Sequence, residues 1–444
     1  MLYFSVYGIN IIYRKEQHMN LNAILENLKD CPCGRKHSFD VKCVEIFSGL
    51  TAKAGEILDR ENFPKNILMV ADRNTYRVSE GLEDSLMASG FKIKKVIYDN
   101  LRVASVNEIA EITALSHDVD GIISVGTGSL NDICRVTSFN CKKKFCIFAT
   151  APSMDGFASN SAPIISGHFK ESIYVAPPSI ILADTKILAE SPVELKASGF
   201  GDMVAKINAN FEWNVARIIS GEHYCPKIAE LALESVRRLI AMADRVSEKD
   251  EETAGAVMEA LVMSGLAMSL ENTSRPASGA EHILSHYWEC YKLVRDIPQE
   301  FHGKKVGVAT VIMNKIFRNV IDRNPTVKER PENPDWDEIL SMFPEETQPD
   351  IKRLNFPSII DEVIPGKLEE CWPEIRELAD KILLKQDELL KLMHMAGAPT
   401  EIEDIGISPE LLREGLKYHP YMRHRICFTR ILPLIGIDIL DYID

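Results

Sequence analysis

Between Lys65 and Thr150 the chain alternates short apolar runs with segments of helical period: "NILMVAD", "SEGLEDSLMASG", "KIKKVIYD", "SVNEIAEITALSHD", "GIISVGTG", "SLNDICRVTSF" and "KFCIFAT". Runs rich in Ile and Val between helix-period segments are the pattern of a parallel sheet wrapped by helices. Each strand in such a sheet is buried on both faces, so the interposed helices must cover it. Between Ser161 and Asp184, "SAPIISGHFKESIYVAPPSIILAD" changes texture and reads as a hairpin followed by one more strand.

From Pro192 onward the period is almost wholly helical, as in "CPKIAELALESVRRLIAMADRVSE" and "ETAGAVMEALVMSGLAMSLEN". The expected architecture is a Rossmann-like α/β nucleotide-binding domain over residues 19–190 and an all-α domain over residues 191–444. "RNPTVKERPENPDWDE" reads as a surface connection within the second. The opening "MLYFSVYGINIIYRKEQH" lacks a basic n-region and a small-residue cleavage site and is too short to span a bilayer. Met19 precedes an amphipathic helix start, "NLNAILENLKD", so residues 1–18 read as an extension outside the fold, from an upstream start codon.

The formal net charge of −14 argues against a nucleic-acid surface, because phosphates need clustered Lys and Arg and the one local run, Lys142 to Lys144, most simply fronts a strand. With 45% hydrophobic and 26% charged residues, the chain has the balance of an ordinary soluble protein, with no membrane insertion expected. Ten cysteines without repeating spacing point to reduced thiols and a cytoplasmic setting. Cys31, Cys33 and His37 in "CPCGRKH" are half of a zinc site by type, but no second Cys/His pair with knuckle spacing follows nearby.

"GIISVGTGSLNDICR" places Gly126 and Gly128 between a buried strand and a helix, where glycines let the backbone approach a pyrophosphate and the helix N-terminus attracts the anion. The fingerprint is incomplete, since Asn131 stands where a third glycine would be, and a plain strand-to-helix turn is the competing reading. Asp72 ends "NILMVAD" and suits ribose hydroxyls, or equally a helix cap. "ATAPSMDGFASNSAP" follows the strand "KFCIFAT" and falls at the carboxyl ends of the strands, where open α/β sheets bind ligands.

Further on, "SGFGDMVAK" supplies Asp202, read at the start of a helix, "GAEHILSH" supplies His282 and His286, and "FHGKKVGVAT" supplies His302. One carboxylate and two imidazoles on separate helices can make an open three-ligand metal site with a position left for a substrate oxygen. Each residue also has an ordinary reading, Asp202 as a helix cap and the histidines as packed or surface residues.

Five motifs in order, "GTGSLND", "TAPSMDGFASNSAP", "GFGDMVAK", "RPASGAEHILSH" and "HGKKVGVAT", resemble the glycerol-1-phosphate dehydrogenase family, in its bacterial branch, within the iron-containing alcohol dehydrogenase and dehydroquinate synthase-like superfamily. The likeness runs from about Met19 through "GAPTEIEDIGISPELLREG". It implies that Asp202, His282 and His302 bind a divalent metal, zinc before nickel, and that His286 and Asp155 face the substrate. It also implies NAD(P) contacts from Asp72, from the turn Gly126, Thr127, Gly128, Ser129 and Leu130, and from Thr150, Ser153 and Ser159. Thr127 and Ser129 match the bacterial turn, where the archaeal branch is richer in glycine and carries a lysine. Asp72 would repel a 2′-phosphate, which leans toward NAD or dual use.

The implied reaction is reduction of dihydroxyacetone phosphate to sn-glycerol 1-phosphate, by a homodimer, feeding a polar lipid or cell-wall precursor. Lys206 and Arg275 are candidate partners of the substrate phosphate. The alternatives are a dehydrogenase of glycerol or another unphosphorylated alcohol, a dehydroquinate synthase-like cyclase, whose branch usually has glutamate where Asp202 stands, and an inactive metal- or nucleotide-binding sensor.

Overall fold

The computed structural model describes residues 19–167 and 169–443, so the extension expected over residues 1–18 lies outside the described residues. Six strands form one wholly parallel sheet: β1 (Cys43–Phe47), β2 (Asn66–Asp72), β3 (Lys92–Tyr98), β4 (Gly121–Gly126), β5 (Lys144–Ala149) and β8 (Ile180–Asp184), in the order β1-β8-β5-β4-β2-β3. β6 (Ser161–Ser166) and β7 (Phe169–Tyr174) make the expected antiparallel hairpin. The sequence reading did not single out β1, which lies parallel to β8 at one edge.

Every residue of β4 and β8 is buried, as two covered faces require. Side chains alternate between the faces with period two. Leu68, Val70, Ile147 and Ala183 enter the core shared with the helical half, whereas Ile67, Met69, Phe148 and Leu182 enter a second core with Leu82 and Leu86. At the other edge, β3 carries Lys92, Lys94 and Lys95, charges that discourage pairing with a further strand.

The chain leaves β2 toward β3 on one side and returns to β4 on the other. That reversal opens a crevice at the carboxyl ends of β2 and β4, the place where parallel sheets of this kind hold ligands. Asp72 and Gly126 end these two strands.

The helical remainder is built around Val193–Ser220, which packs against His302–Arg323. Two glycines permit the close approaches that matter for the site. A side chain at Gly199 would overlap the Pro152 carbonyl, and one at Gly303 would overlap the Ser198 carbonyl. Helix Glu251–Glu271 is long and apolar enough to cross a membrane, yet 89% of its most apolar window is buried inside the protein, so its composition reflects core packing.

Candidate active site

A cleft of 390 Å³ opens where the carboxyl ends of β2 and β4 face helices Ala280–Val294 and His302–Arg323. Asp72, Thr127, Gly128, Ser129, Leu130, Ser153, Asp155, Ser159, His282, His286 and His302 all line it. Residues far apart in sequence thus converge on one concavity. Gly126, Thr150 and Asp202 do not border it: Gly126 packs against the Leu130 side chain, and Thr150 donates its backbone N–H to the Gly126 carbonyl at 3.3 Å.

On the sheet side, helix Gly128–Asn140 begins at the cleft, and its N-cap residue, Thr127, makes no side-chain cap. The first N–H groups of that helix therefore keep their capacity to bind an anion. Ser129 is turned aside, its hydroxyl donating to the Arg102 carbonyl at 3.0 Å. Ser159 is held by the fully buried Arg135, whose Nη1 donates to its Oγ at 2.9 Å and to the Ser161 carbonyl at 2.7 Å. Both readings of Asp72 find support. Its Oδ1 accepts from the backbone N–H groups of Asn74 and Thr75, each at 2.9 Å, as a helix cap, while the residue also borders the cleft.

On the helical side, Asp202, His282 and His302 bring one donor atom each to within 4.8 Å of one another. His282 Nε2 lies 3.4 Å from Asp202 Oδ1, and the rings of His282 and His302 are 5.5 Å apart. Asp202 does not start a helix, as "SGFGD" suggests, but sits well inside Val193–Ser220 and is fully buried. The helix runs straight through Gly199 and Gly201 because these glycines serve close backbone contacts rather than a helix break.

Lys206, one turn further along, is also fully buried and pairs with Asp202 Oδ1 at 2.8 Å and Asp155 Oδ2 at 2.7 Å. Burial alone would raise the Asp202 carboxyl, but the Lys206 ammonium and the His282 ring hold it well below the usual carboxylate range. Burial likewise opposes charge on His282, yet its bonds to Asp202 and Glu281 push its pKa up to about 8. Asp155 is fixed further by a bond from Ser264 Oγ at 2.9 Å, and its backbone N–H donates to Asp202 Oδ2 at 3.0 Å.

Several participants carry no motif and were missed in sequence. Glu281 accepts from His282 Nδ1 at 2.7 Å, and Glu289 accepts from His286 Nδ1 at 2.8 Å and from Lys305 at 2.6 Å. A carboxylate beside one histidine and three residues after another was the available signal. Neither expected phosphate partner reaches open space. Lys206 is consumed by its two acids, and Arg275 is clasped by Glu222 and the Ile426 carbonyl outside the cleft. Arg423 and Arg425 line the cleft instead. Arg423 makes no side-chain hydrogen bond or ion pair with another described residue, and its pKa is lowered by burial. Arg425 is pushed down to about 10 by burial and by the neighbouring Arg275 and Arg423 cations.

A family model described as iron-containing alcohol dehydrogenase matches residues 45–192. The chain is 31% identical to glycerol-1-phosphate dehydrogenase (NAD(P)+) of Geobacillus thermodenitrificans, over 94% of this chain and 98% of that one. It is 30% identical to the Bacillus subtilis protein of the same name, over 88% and 91%. Among solved structures, a probable glycerol dehydrogenase from Sinorhizobium meliloti shares the fold with a TM-score of 0.59 at 16% identity, covering 92% of this chain and 96% of that one.

Proposed function

The chain belongs to the glycerol-1-phosphate dehydrogenase family, and from that premise we propose that the cleft reduces the ketone of dihydroxyacetone phosphate with NAD(P)H, giving sn-glycerol 1-phosphate. The observation that carries this reading is that His282 and His302, with the buried Asp202 within reach behind them, line the same cleft as the uncapped N-terminus of helix Gly128–Asn140.

One carboxylate and two imidazoles within mutual reach suit a divalent ion of the zinc, nickel and iron group, with zinc favoured and nickel next. The ion would supply electrophilic polarisation of the ketone oxygen, and the nicotinamide the hydride. Asp202, His282 and His302 hold the ion. Glu281 fixes the His282 tautomer by accepting a hydrogen bond from Nδ1–H, so that the Nε2 lone pair faces Asp202.

The other residues bind, orient and exchange the proton. His286, oriented by the bond of its Nδ1 to Glu289, exchanges the proton with a substrate hydroxyl. Asp155, pinned by Lys206 and Ser264, presents a fixed acceptor to the second hydroxyl. Arg423 and Arg425 take the substrate phosphate, whose charge relieves the crowding of two partly buried cations. On the sheet side, the first N–H groups of helix Gly128–Asn140, with Thr127, Ser129 and Leu130 around them, receive the pyrophosphate, while Asp72 addresses the ribose. Ser153 and Ser159, on the lining of the same cleft, contact the nicotinamide cofactor.

A homodimer and a cytoplasmic setting belong to the same proposal, supported by the symmetry habits of soluble enzymes and by ten cysteines that form no disulfide. The division into an α/β domain up to residue 190 and a helical domain beyond it follows the change of texture at Pro192, where helix Val193–Ser220 begins.

The test is oxidation of NADH by the purified protein with zinc or nickel, comparing dihydroxyacetone phosphate with dihydroxyacetone. Faster turnover of the phosphorylated ketone and a single sn-1 enantiomer are expected. Equal turnover of both ketones would move the reading to a dehydrogenase of unphosphorylated alcohols, and no oxidation with any divalent metal would end it.

A further inference from the structure

The segment "CPCGRKH" supplies two thiols and an imidazole, and no partner for them follows nearby in sequence. The fold provides one from 188 residues away. Cys225, buried at the N-cap of helix Pro226–Ile240, brings its sulphur to 3.6 Å from His37 Nε2 and 3.4 Å from Cys31 Sγ. Cys33 Sγ lies 3.1 Å from His37 Nε2, and the four donor atoms all fall within 4.8 Å of one another.

We propose that Cys31, Cys33, His37 and Cys225 form a second, structural metal site that binds zinc tetrahedrally. A tetrahedral site with zinc–sulphur bonds of about 2.3 Å has sulphur–sulphur edges of about 3.8 Å, close to the separations seen here. His37 is prepared for the role. Its Nδ1 is 2.9 Å from the Leu270 carbonyl, which can only accept, so the proton resides on Nδ1 and the Nε2 lone pair points at the three sulphurs. Three thiolates and one imidazole are a soft donor set that selects zinc over calcium or magnesium.

Four protein ligands leave no open position, which separates this site from the three-donor cluster in the cleft. The four ligands and the carbonyl that orients His37 come from separate elements. Cys31 to His37 join helix Leu21–Leu28 to β1, Cys225 opens one helix of the other half, and the Leu270 carbonyl belongs to the last turn of Glu251–Glu271. The chain leaving that last turn supplies Ser274, Ala277 and Ser278 to the cleft wall. The ion would thus staple the N-terminal segment to the helix end that leads into the active site. The inference does not depend on the reaction assigned above.

Metal analysis of the full-length protein tests it. Wild-type protein loaded with cobalt should show a thiolate-to-cobalt charge-transfer band and the intense visible bands of tetrahedral cobalt. Zinc-loaded His302→Ala, with the other cluster short of a donor, should keep one zinc per chain with sulphur neighbours at about 2.3 Å in X-ray absorption. Cys33→Ser should lose that zinc and melt at a lower temperature. Should Cys33→Ser fail to fold, the wild-type spectra alone decide. Metal-loaded wild-type protein with only nitrogen and oxygen neighbours, or recovery of Cys31 and Cys225 as a disulfide from protein prepared under reductant, overturns the proposal.

Discussion

Nδ1 of His282 is bonded to Oε1 of Glu281 at 2.7 Å, and this single contact turns the opposite ring nitrogen toward Asp202. Glu281 is fully buried and also accepts the Gly279 N–H at 2.6 Å, so its position is set by the start of the helix that carries His282. A carboxylate behind a ligand histidine fixes the tautomer and raises its basicity. Glu281→Gln keeps the shape but weakens both effects. The metal concentration for half-maximal activity should rise by about 10- to 100-fold, with most of the rate recovered at saturating metal. An unchanged activation curve would reduce Glu281 to a packing residue.

The same contacts make the metal-free protein sensitive to pH. Burial disfavours the charged ring, but Asp202 and Glu281 overcome it and raise the pKa of His282 from 6.5 to about 8. A raised pKa means that the folded state holds the proton more tightly. The stabilisation is complete below about 6.5 and is lost as pH climbs through about 8, a difference of about 2 kcal/mol. Metal binding runs the other way, because the ion competes with that proton. Melting temperatures of metal-free protein should fall between pH 6.5 and 8.5 while metal affinity rises over the same interval. A melting temperature that climbs across this range would contradict the assignment of charge to His282.

Lys206 is the only cation bonded to both Asp155 and Asp202 among the described residues. Replacing it with Met leaves Asp155 without a counter-charge and Asp202 with His282 alone, and breaking a buried pair costs about 3–5 kcal/mol. A divalent ion can restore part of the lost neutralisation. Lys206→Met should therefore be much less stable than the wild type without metal, and should gain more in melting temperature when zinc is added. Equal zinc-induced shifts in both proteins would show that Lys206 and the ion do not share the Asp202 charge.

How much of this was legible depended on the reach of each signal. The parallel sheet was, because strands such as β4 and β5 are apolar on both faces and their helices announce themselves by period. Asp202, His282 and His302 were recognisable by type and order. The surroundings of Asp202 were not, since "SGFGD" reads as a helix start when glycine is taken as a breaker, whereas here Gly199 makes room for the Pro152 carbonyl. Cys225 was illegible as a partner of His37 because nothing local links residues 188 positions apart. Arg423 and Arg425 lie in a C-terminal segment whose place on the cleft is set by tertiary packing alone.

Arg423 separates binding of the phosphate from chemistry at the ketone. Arg423 lines the cleft without a hydrogen-bonded partner for its side chain among the described residues, and hydrogen bonds to a charged group are worth about 1.5–3 kcal/mol. Arg423→Gln should raise KM for dihydroxyacetone phosphate by about 10- to 100-fold, leave kcat within a few-fold, and spare whatever turnover dihydroxyacetone shows. If both ketones suffer equally, the arginine is structural.

Asp72 performs two tasks that one substitution can pull apart. Its Oδ1 caps helix Arg73–Val78, and its charge sits where a ribose is expected. Asparagine caps a helix about as well as aspartate, so Asp72→Asn should cost little stability, whereas Asp72→Ala should lose about 1 kcal/mol. Both variants remove the negative charge that disfavours a 2′-phosphate. Relief of that repulsion should raise kcat/KM for NADPH relative to NADH by about tenfold, which corresponds to 1.4 kcal/mol. The Asn variant is the decisive one, because it keeps the cap and changes only the charge. If its NADPH to NADH ratio equals that of the wild type, the carboxylate does not face the ribose and serves the helix alone.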